Sequence, residues 1–396
     1  MYAFSKRKNK NCRFFVIIRG VALIILISFC AFNIAFGQRY HAFHPGKKWL
    51  DTSGVPINAH GGGILYYKGT YYWFGEYKTA GPKGNKAQVG FSVYSSKDLY
   101  NWKNRGIALS VSHNPKSDID KGSIMERPKV IYNKKTKTFV MWFHLELKGQ
   151  GYSSARTGVA ISKNPIGPYK YLRSYRPNAG EWPMNIKPVQ KKKKYNPDSL
   201  KSWSHKWLKA VADGMFMRRD FQKGQMSRDM TLFVDDDGTA YHIHSSEENG
   251  TIDISELSPD YQSFTDRYVR VLPGQFNEAP TIFKHNGKYY MITSGTTGWK
   301  PNAARMAVAD SIFGPWKKLG NPCVGKGKKT TFHSQGTYVL PVHGKKNAFI
   351  FMADRWRPKN PIDGRYVWLP IQWKDGQPVI KWMDQWKLSF FSKENQ

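Results

Sequence analysis

The chain has 396 residues, with 62 Lys and Arg against 28 Asp and Glu and a formal net charge of +34, and 40% of it is hydrophobic. That is ample for a large core, while three cysteines, two of them within the first 30 residues, leave no disulfide framework and no zinc or thiol-redox pattern. The charge invites polyanions, but no helix-turn-helix, zinc or RNP motif accompanies it, so nucleic acid is not the expected partner.

Residues 1–37 carry Lys6, Arg7, Lys8, Lys10, Arg13 and Arg19 without an acid, then the apolar run "GVALIILISFCAFNIAFG" and a small-residue exit at Ala35-Phe36-Gly37. This is the layout of a secretory signal peptide, and it predicts a secreted or periplasmic protein with no stable membrane insertion after cleavage. Removing those six basic residues from +34 still leaves +28 on residues 38–396. An acidic or sulfated polysaccharide suits such a field outside the cell.

From there the chain repeats itself. Five segments, "GGILYYKGTYYWFGEY", "RPKVIYNKKTKTFVMWFHLE", "MTLFVDDDGTAYHIHSSE", "APTIFKHNGKYYMITSG" and "GTYVLPVHGKKNAFIFMADRW", share an apolar strand, a turn and an aromatic strand. Each is followed by a looser strand pair, so each repeat supplies four strands. Units that cannot bury both faces alone pack radially, which predicts an all-β fold: a five-bladed β-propeller with four-stranded antiparallel blades. Between the second and third repeats, about residues 176–226 lack strand alternation and carry the run Lys191–Lys194. This basic insertion reads as an excursion over one face or as a solvated flap.

Acids fall at one register. Glu76 closes the first hairpin; Glu126, Asp229, Glu278 and Gln335 stand immediately before the other four. A propeller brings matched positions of its innermost strands to one end of the axis, so these residues become neighbours. Carboxylates crowded among aromatics repel one another and are partly desolvated, which raises a pKa and keeps a general acid protonated. Aromatic faces with paired carboxyl groups suit a sugar and the cleavage of a glycosidic bond. Trp299 and Trp356 are candidate stacking platforms. His144, His242 and His244 read as core or channel histidines, and "DDDG" at 235–238 as a hairpin turn rather than a calcium loop.

The motifs "INAHGGGILYYKGTYYWFGE", "ERPKVIYN", "SRDMTLFVDDDGTAYHI", "NEAPTIFKHNGKYYMITSGTTGW" and "SQGTYVLP" resemble glycoside hydrolase family 43, in particular the subfamilies around exo-β-1,3-galactanase. The resemblance implies the same five-bladed propeller and an inverting mechanism. It implies Glu278 as general acid and Glu126 as the residue that tunes it and holds the sugar. It places Glu76, Tyr152, Asp229 and Thr296 along the sugar subsite. Typical members have an Asp base next to a His in the first blade, where this chain reads His60-Gly61. The resemblance gives Gln335 the part of assisting water as an imidic acid, although an amide is a poor base; Gly336 stands where a small hydroxyl residue is expected.

The expected function is therefore an exo-acting galactosidase on β-1,3-linked or related galactan, sulfated or acidic forms included. The competing readings are an α-L-arabinofuranosidase or β-xylosidase of the same family, and a non-catalytic polysaccharide-binding propeller. No cofactor is expected, a structural calcium is left without assigned ligands, and the protein is expected to be a monomer.

Overall fold

A computed structural model describes residues 39–196 and 199–392. The leader expected at 1–37 lies outside the described residues. The remainder forms five antiparallel sheets arranged as blades. Blade 1 is β1 (His60–Tyr67), β2 (Thr70–Glu76), β3 (Gly90–Ser96) and β4 (Lys103–Ser110). Blade 2 is β5 (Ile124–Asn133), β6 (Thr138–Glu146), β7 (Arg156–Ser162) and β8 (Lys170–Tyr175). Blade 3 is β9 (Met230–Val234), β10 (Ala240–Ser246), β11 (Thr251–Leu257) and β12 (Phe264–Val271). Blade 4 is β13 (Asn277–His285), β14 (Lys288–Gly295), β15 (Arg305–Ala309) and β16 (Lys317–Gly320). Blade 5 adds a short parallel edge strand, β17 (Cys323–Val324), to β18 (Gln335–Pro341), β19 (Phe349–Arg355), β20 (Arg365–Lys374) and β21 (Gln377–Lys381).

The hairpins form where the sequence permits positive φ. Lys68-Gly69 and Asn286-Gly287 both sit in the left-handed region, as a two-residue turn between twisted strands requires. Alternation along the strands then sends apolar side chains to both blade faces, and one apolar cluster fills each of the five blade interfaces. The interface between blades 1 and 5 is the most aromatic, with Trp73, Trp102 and Trp368 all nearly inaccessible. Among the described residues no strand is exchanged there. Instead the segments flanking the propeller meet: Phe43 and Trp386 stack at 4.3 Å and trade backbone hydrogen bonds of 2.8 and 3.2 Å.

The insertion is folded rather than a solvated flap. It holds three short helices, α1 (Pro188–Lys192), α2 (His205–Ala212) and α3 (Met215–Asp220). Ser204 caps α2 by accepting from the Trp207 N–H, and Trp207, Val211, Met215 and Phe216 form a cluster that takes in Phe276, two residues before Glu278. Buried Arg270 of β12 pins the insertion to blade 3. It pairs with Glu247 at 2.5 Å while donating to the carbonyls of Val211 and Ala212.

Among the described residues no helix is long and apolar enough to cross a membrane.

Candidate active site

The innermost strands β1, β5, β9, β13 and β18 neighbour one another in a ring. In four of them the ladder slips just after the first residues: His60/Gly63, Glu126/Lys129, Glu278/Thr281 and Gly336/Tyr338. Three of these bulges hold a residue with positive φ, namely Gly61 (61°), Arg127 (53°) and Ala279 (53°). A bulge bends the strand and re-aims the side chain beside it, and a non-glycine residue held left-handed costs about 1–3 kcal/mol.

Each strained N–H is caught by a carboxylate from elsewhere on the ring. Asp354 Oδ2 accepts from Gly61 N at 2.8 Å, Glu76 Oε1 from Arg127 N at 2.9 Å, and Asp229 Oδ2 from Ala279 N at 3.0 Å. Glu76 thus closes a hairpin of aromatics because the next blade's bulge needs an acceptor. Its other oxygen meets Lys78 at 2.5 Å, and Glu76 is only 4% exposed. Burial pulls Lys78 down, but the Glu76 and Glu126 charges outweigh it and raise its pKa.

These elements enclose a cavity of about 230 Å³ lined by Glu76, Glu126, Tyr152, Asp229, Glu278, Trp299, Gln335 and Trp356 from the sequence reading, joined by Lys78, Arg127, Arg228 and Asn249. Thr296 does not line it. β14 ends at Gly295, whose backbone N–H and carbonyl are both bound by the Asn302 side chain, and the loop beyond turns Gly298 and Trp299 to the cavity instead.

Of the acids that line the cavity, Glu278 and Glu126 have raised pKa values. Burial, then the Asp229 charge, raises Glu278 to about 8, while Asn249 Nδ2 donates to its Oε1 at 2.8 Å. Burial, then Glu76, raises Glu126 to about 7. Among the described residues no protein donor engages the Glu126 carboxyl group, which leaves it free for a ligand. Tyr152 lies parallel to the His144 ring at 6.3 Å and beneath the Arg228 guanidinium, and the Glu126 charge followed by burial raises its hydroxyl pKa.

Arg127 is the hub that sequence reading missed. It is 5% exposed, and it donates from Nε to Asp229 at 2.8 Å, from Nη2 to Gln335 Oε1 at 2.7 Å and from Nη1 to the Gly336 carbonyl at 3.2 Å. Trp356 Nε1 donates to the same Gln335 oxygen at 2.9 Å, and Gln335 Nε2 donates to Ser294 Oγ at 2.9 Å. Two donors on the carbonyl oxygen hold Gln335 as an ordinary amide; a tautomer with hydrogen on that oxygen would face both of them.

The missing first-blade acid has a steric cause. A Cβ at Gly61 would stand 2.1 Å from Glu76 Oε1, at a φ side chains rarely adopt. His60 stacks on Tyr366 and lies 3.6 Å from Asp354. The three histidines named above as core or channel groups are core groups: His144 pairs with Glu146 at 3.1 Å, and His242 bonds His244 at 3.0 Å, each of the three fully buried. "DDDG" is a turn, its Asp235 paired with Lys284 at 2.6 Å. Among the described residues no group of three or more His, Cys, Asp or Glu could hold a metal ion.

Comparison with known proteins identifies the family. The family description "Glycosyl hydrolases family 43" matches residues 202–378. A GH43 β-1,3-galactosidase solved with galactodeoxynojirimycin is 57% identical, covers 87% of this chain and 100% of its own, and superposes with a TM-score of 0.85. An exo-β-1,3-galactanase from Phanerochaete chrysosporium solved with β-1,3-galactotriose is 33% identical over 88% of this chain and 68% of its own, with a TM-score of 0.70. Among curated proteins, a β-D-galactofuranosidase from Aspergillus niger is 30% identical over 131 residues, 30% of this chain and 38% of that protein's length.

Proposed function

Because the chain belongs to glycoside hydrolase family 43, we propose that it is an exported, inverting, exo-acting galactosidase that removes terminal galactose from β-1,3-linked or related galactan. One observation carries this reading: a carboxyl group held protonated, Glu278, shares an aromatic-walled cavity with a second, unpartnered carboxyl group, Glu126. The protonated acid is positioned to give its proton to the leaving oxygen. Glu126 accepts sugar hydroxyls and, when ionised, raises Glu278 further. Trp299 and Trp356 offer their ring faces to the pyranose C–H surface. With its oxygen committed, Gln335 presents N–H, so its part is to orient the attacking water by donating to it.

The names of the relatives favour galactose over arabinofuranose or xylose, and the perturbed acid favours an enzyme over a binding propeller. Export rests on the basic and apolar leader, and an anionic galactan on the charge that remains without it. The test is product analysis on a panel of galactans, alongside aryl β-galactoside, α-arabinofuranoside and β-xyloside. Free galactose of inverted anomeric configuration, lost in Glu278→Gln with binding retained, is the expected result. Preference for another sugar, or binding without release, refutes it.

A further inference from the structure

Beside the catalytic cavity lies a second of equal size, about 230 Å³, and the two share Gly298, Trp299, Gln335 and Trp356 as a common wall. The second cavity has the opposite electrostatic character. It is lined by Lys300, His333, Arg355 and Arg357 against a single acid, Asp354. That acid faces inward: Asp354 is 2% exposed, and its Oδ2 is occupied by Gly61 N–H and His60.

The cations are left without matching anions. Among the described residues nothing pairs with the exposed Lys300 ammonium. Arg357 is half exposed and reaches only Asp363, at 3.4 Å, and that carboxylate is held more closely by Arg365 at 2.5 Å. Arg355 spends Nε and Nη2 on the Phe332 carbonyl, and burial followed by the Arg357 charge lowers its pKa. The two guanidinium groups therefore repel one another.

The floor of this cavity is also strained. Thr331, Phe332 and His333 are three successive non-glycine residues with positive φ, at 48°, 57° and 58°. Such a run persists only where surrounding bonds impose it. Here Thr331 Oγ1 donates to the Asn302 carbonyl at 2.7 Å, Ser334 Oγ donates to the Thr331 carbonyl at 2.5 Å, and Arg355 holds Phe332. The result brings His333 to the cavity.

We infer that the second cavity is a subsite for a sugar bearing an anionic oxygen group, a uronate carboxylate or a sulfate ester, joined to the galactosyl unit in the catalytic cavity. The inference rests on the galactosidase reading, since the shared wall places its ligand one sugar away from the unit to be cleaved. Guanidinium and ammonium groups that lack acids of their own bind such oxyanions by charge-assisted hydrogen bonds.

Calorimetric titration of Glu278→Gln, which reads binding without turnover, tests it. The ligands are β-1,3-galactobiose, the same disaccharide bearing a glucuronosyl substituent, and the same disaccharide bearing a sulfate ester. At low salt at least one anionic ligand binds about tenfold more tightly than the neutral one, equivalent to one charge-assisted bond gained. The advantage shrinks at high salt, and adding Lys300→Gln and Arg357→Gln abolishes it while neutral binding stays unchanged. The tighter of the two anionic ligands identifies the group. Equal binding of neutral and anionic ligands, or an advantage that survives the double substitution, overturns the subsite. Turnover of neutral galactobiose by the unaltered protein is measured in parallel. Turnover without anion preference removes the subsite alone, whereas no turnover of any galactoside removes the galactosidase reading itself.

Discussion

Asp229→Asn isolates the charge that keeps the catalytic acid protonated. With its pKa at about 8, Glu278 is roughly 90% protonated at pH 7; at the ordinary value of 4.5 it would be about 0.3% protonated, some 300-fold less competent acid. Burial is the largest cause, and Asp229 the next. The carboxylate is anchored between Arg127 Nε and the N–H of Ala279, the residue after Glu278. Asparagine keeps the shape and an oxygen for one donor but discards the charge. Arg127, which already lowers the acid's pKa, is then uncompensated. A charge at such range moves a carboxyl group by about one to three units, so the variant's acid should titrate at about 5 to 7. Measured as galactose release from β-1,3-galactobiose between pH 4 and 9.5, kcat/KM of the native protein falls only above about pH 8. The fall in the variant begins one to three units lower, with a loss at pH 7.5 of about threefold for a one-unit drop and about 200-fold for three units, and much less at pH 5. 4-Nitrophenyl β-galactoside, whose leaving group needs little protonation, should show no such shift. An alkaline limb that is the same in both proteins refutes the electrostatic account, and a native limb below pH 6 refutes the assignment of Glu278.

The same pKa shift predicts a stability effect of opposite benefit. The folded pKa of Glu278 lies above its unfolded value of 4.5, so the contribution is intact below that value and is lost as pH rises to about 8. Glu278→Gln should therefore melt at the same temperature as the native protein near pH 4 and a few degrees higher at pH 8; a gap that closes with rising pH contradicts this. Gly61→Ala forces a Cβ onto Glu76 Oε1 and a strained φ, and should cost about 2 kcal/mol or more, read as a lowered denaturation midpoint together with a raised KM. Arg127→Lys cannot span Asp229, Gln335 and Gly336 at once, and should lower kcat about tenfold or more even where thermal melting shows the fold retained.

The blades were legible because their signal is local. Period-two alternation and the turns at Lys68-Gly69 and Asn286-Gly287 identify the hairpins, and repetition identifies the ring. Glu126, Asp229, Glu278 and Gln335 could be grouped because they share a register that the fold carries to one end of the axis. Arg127 could not, since its bonds reach from blade 2 to Asp229 before blade 3 and Gln335 of blade 5, separations no local pattern encodes; the only trace is Glu-x-Pro at both 126–128 and 278–280, which marks the two bulges. Asn249 lies on a turn where Glu247, Glu248 and Asn249 all have positive φ; Asn249-Gly250 marks the turn in the sequence, but nothing local tells that the Asn249 side chain reaches Glu278. The helices of the insertion went unread because only strand periodicity was sought there, although Ser204, Trp207 and Val211 fall at cap and helix spacing. Thr296 lies off the cavity wall because a loop's path after its last ladder bond depends on Asn302, further along the chain.

The joint between blades 1 and 5 bears on how this chain can be rearranged. Every blade is made from one uninterrupted segment, and the first and last stretches of the propeller already lie against each other through Phe43 and Trp386. A short covalent tether across that seam, with fresh termini cut into the exposed residues 113–116 of the β4–β5 connection, would give circular permutants that keep every sheet whole.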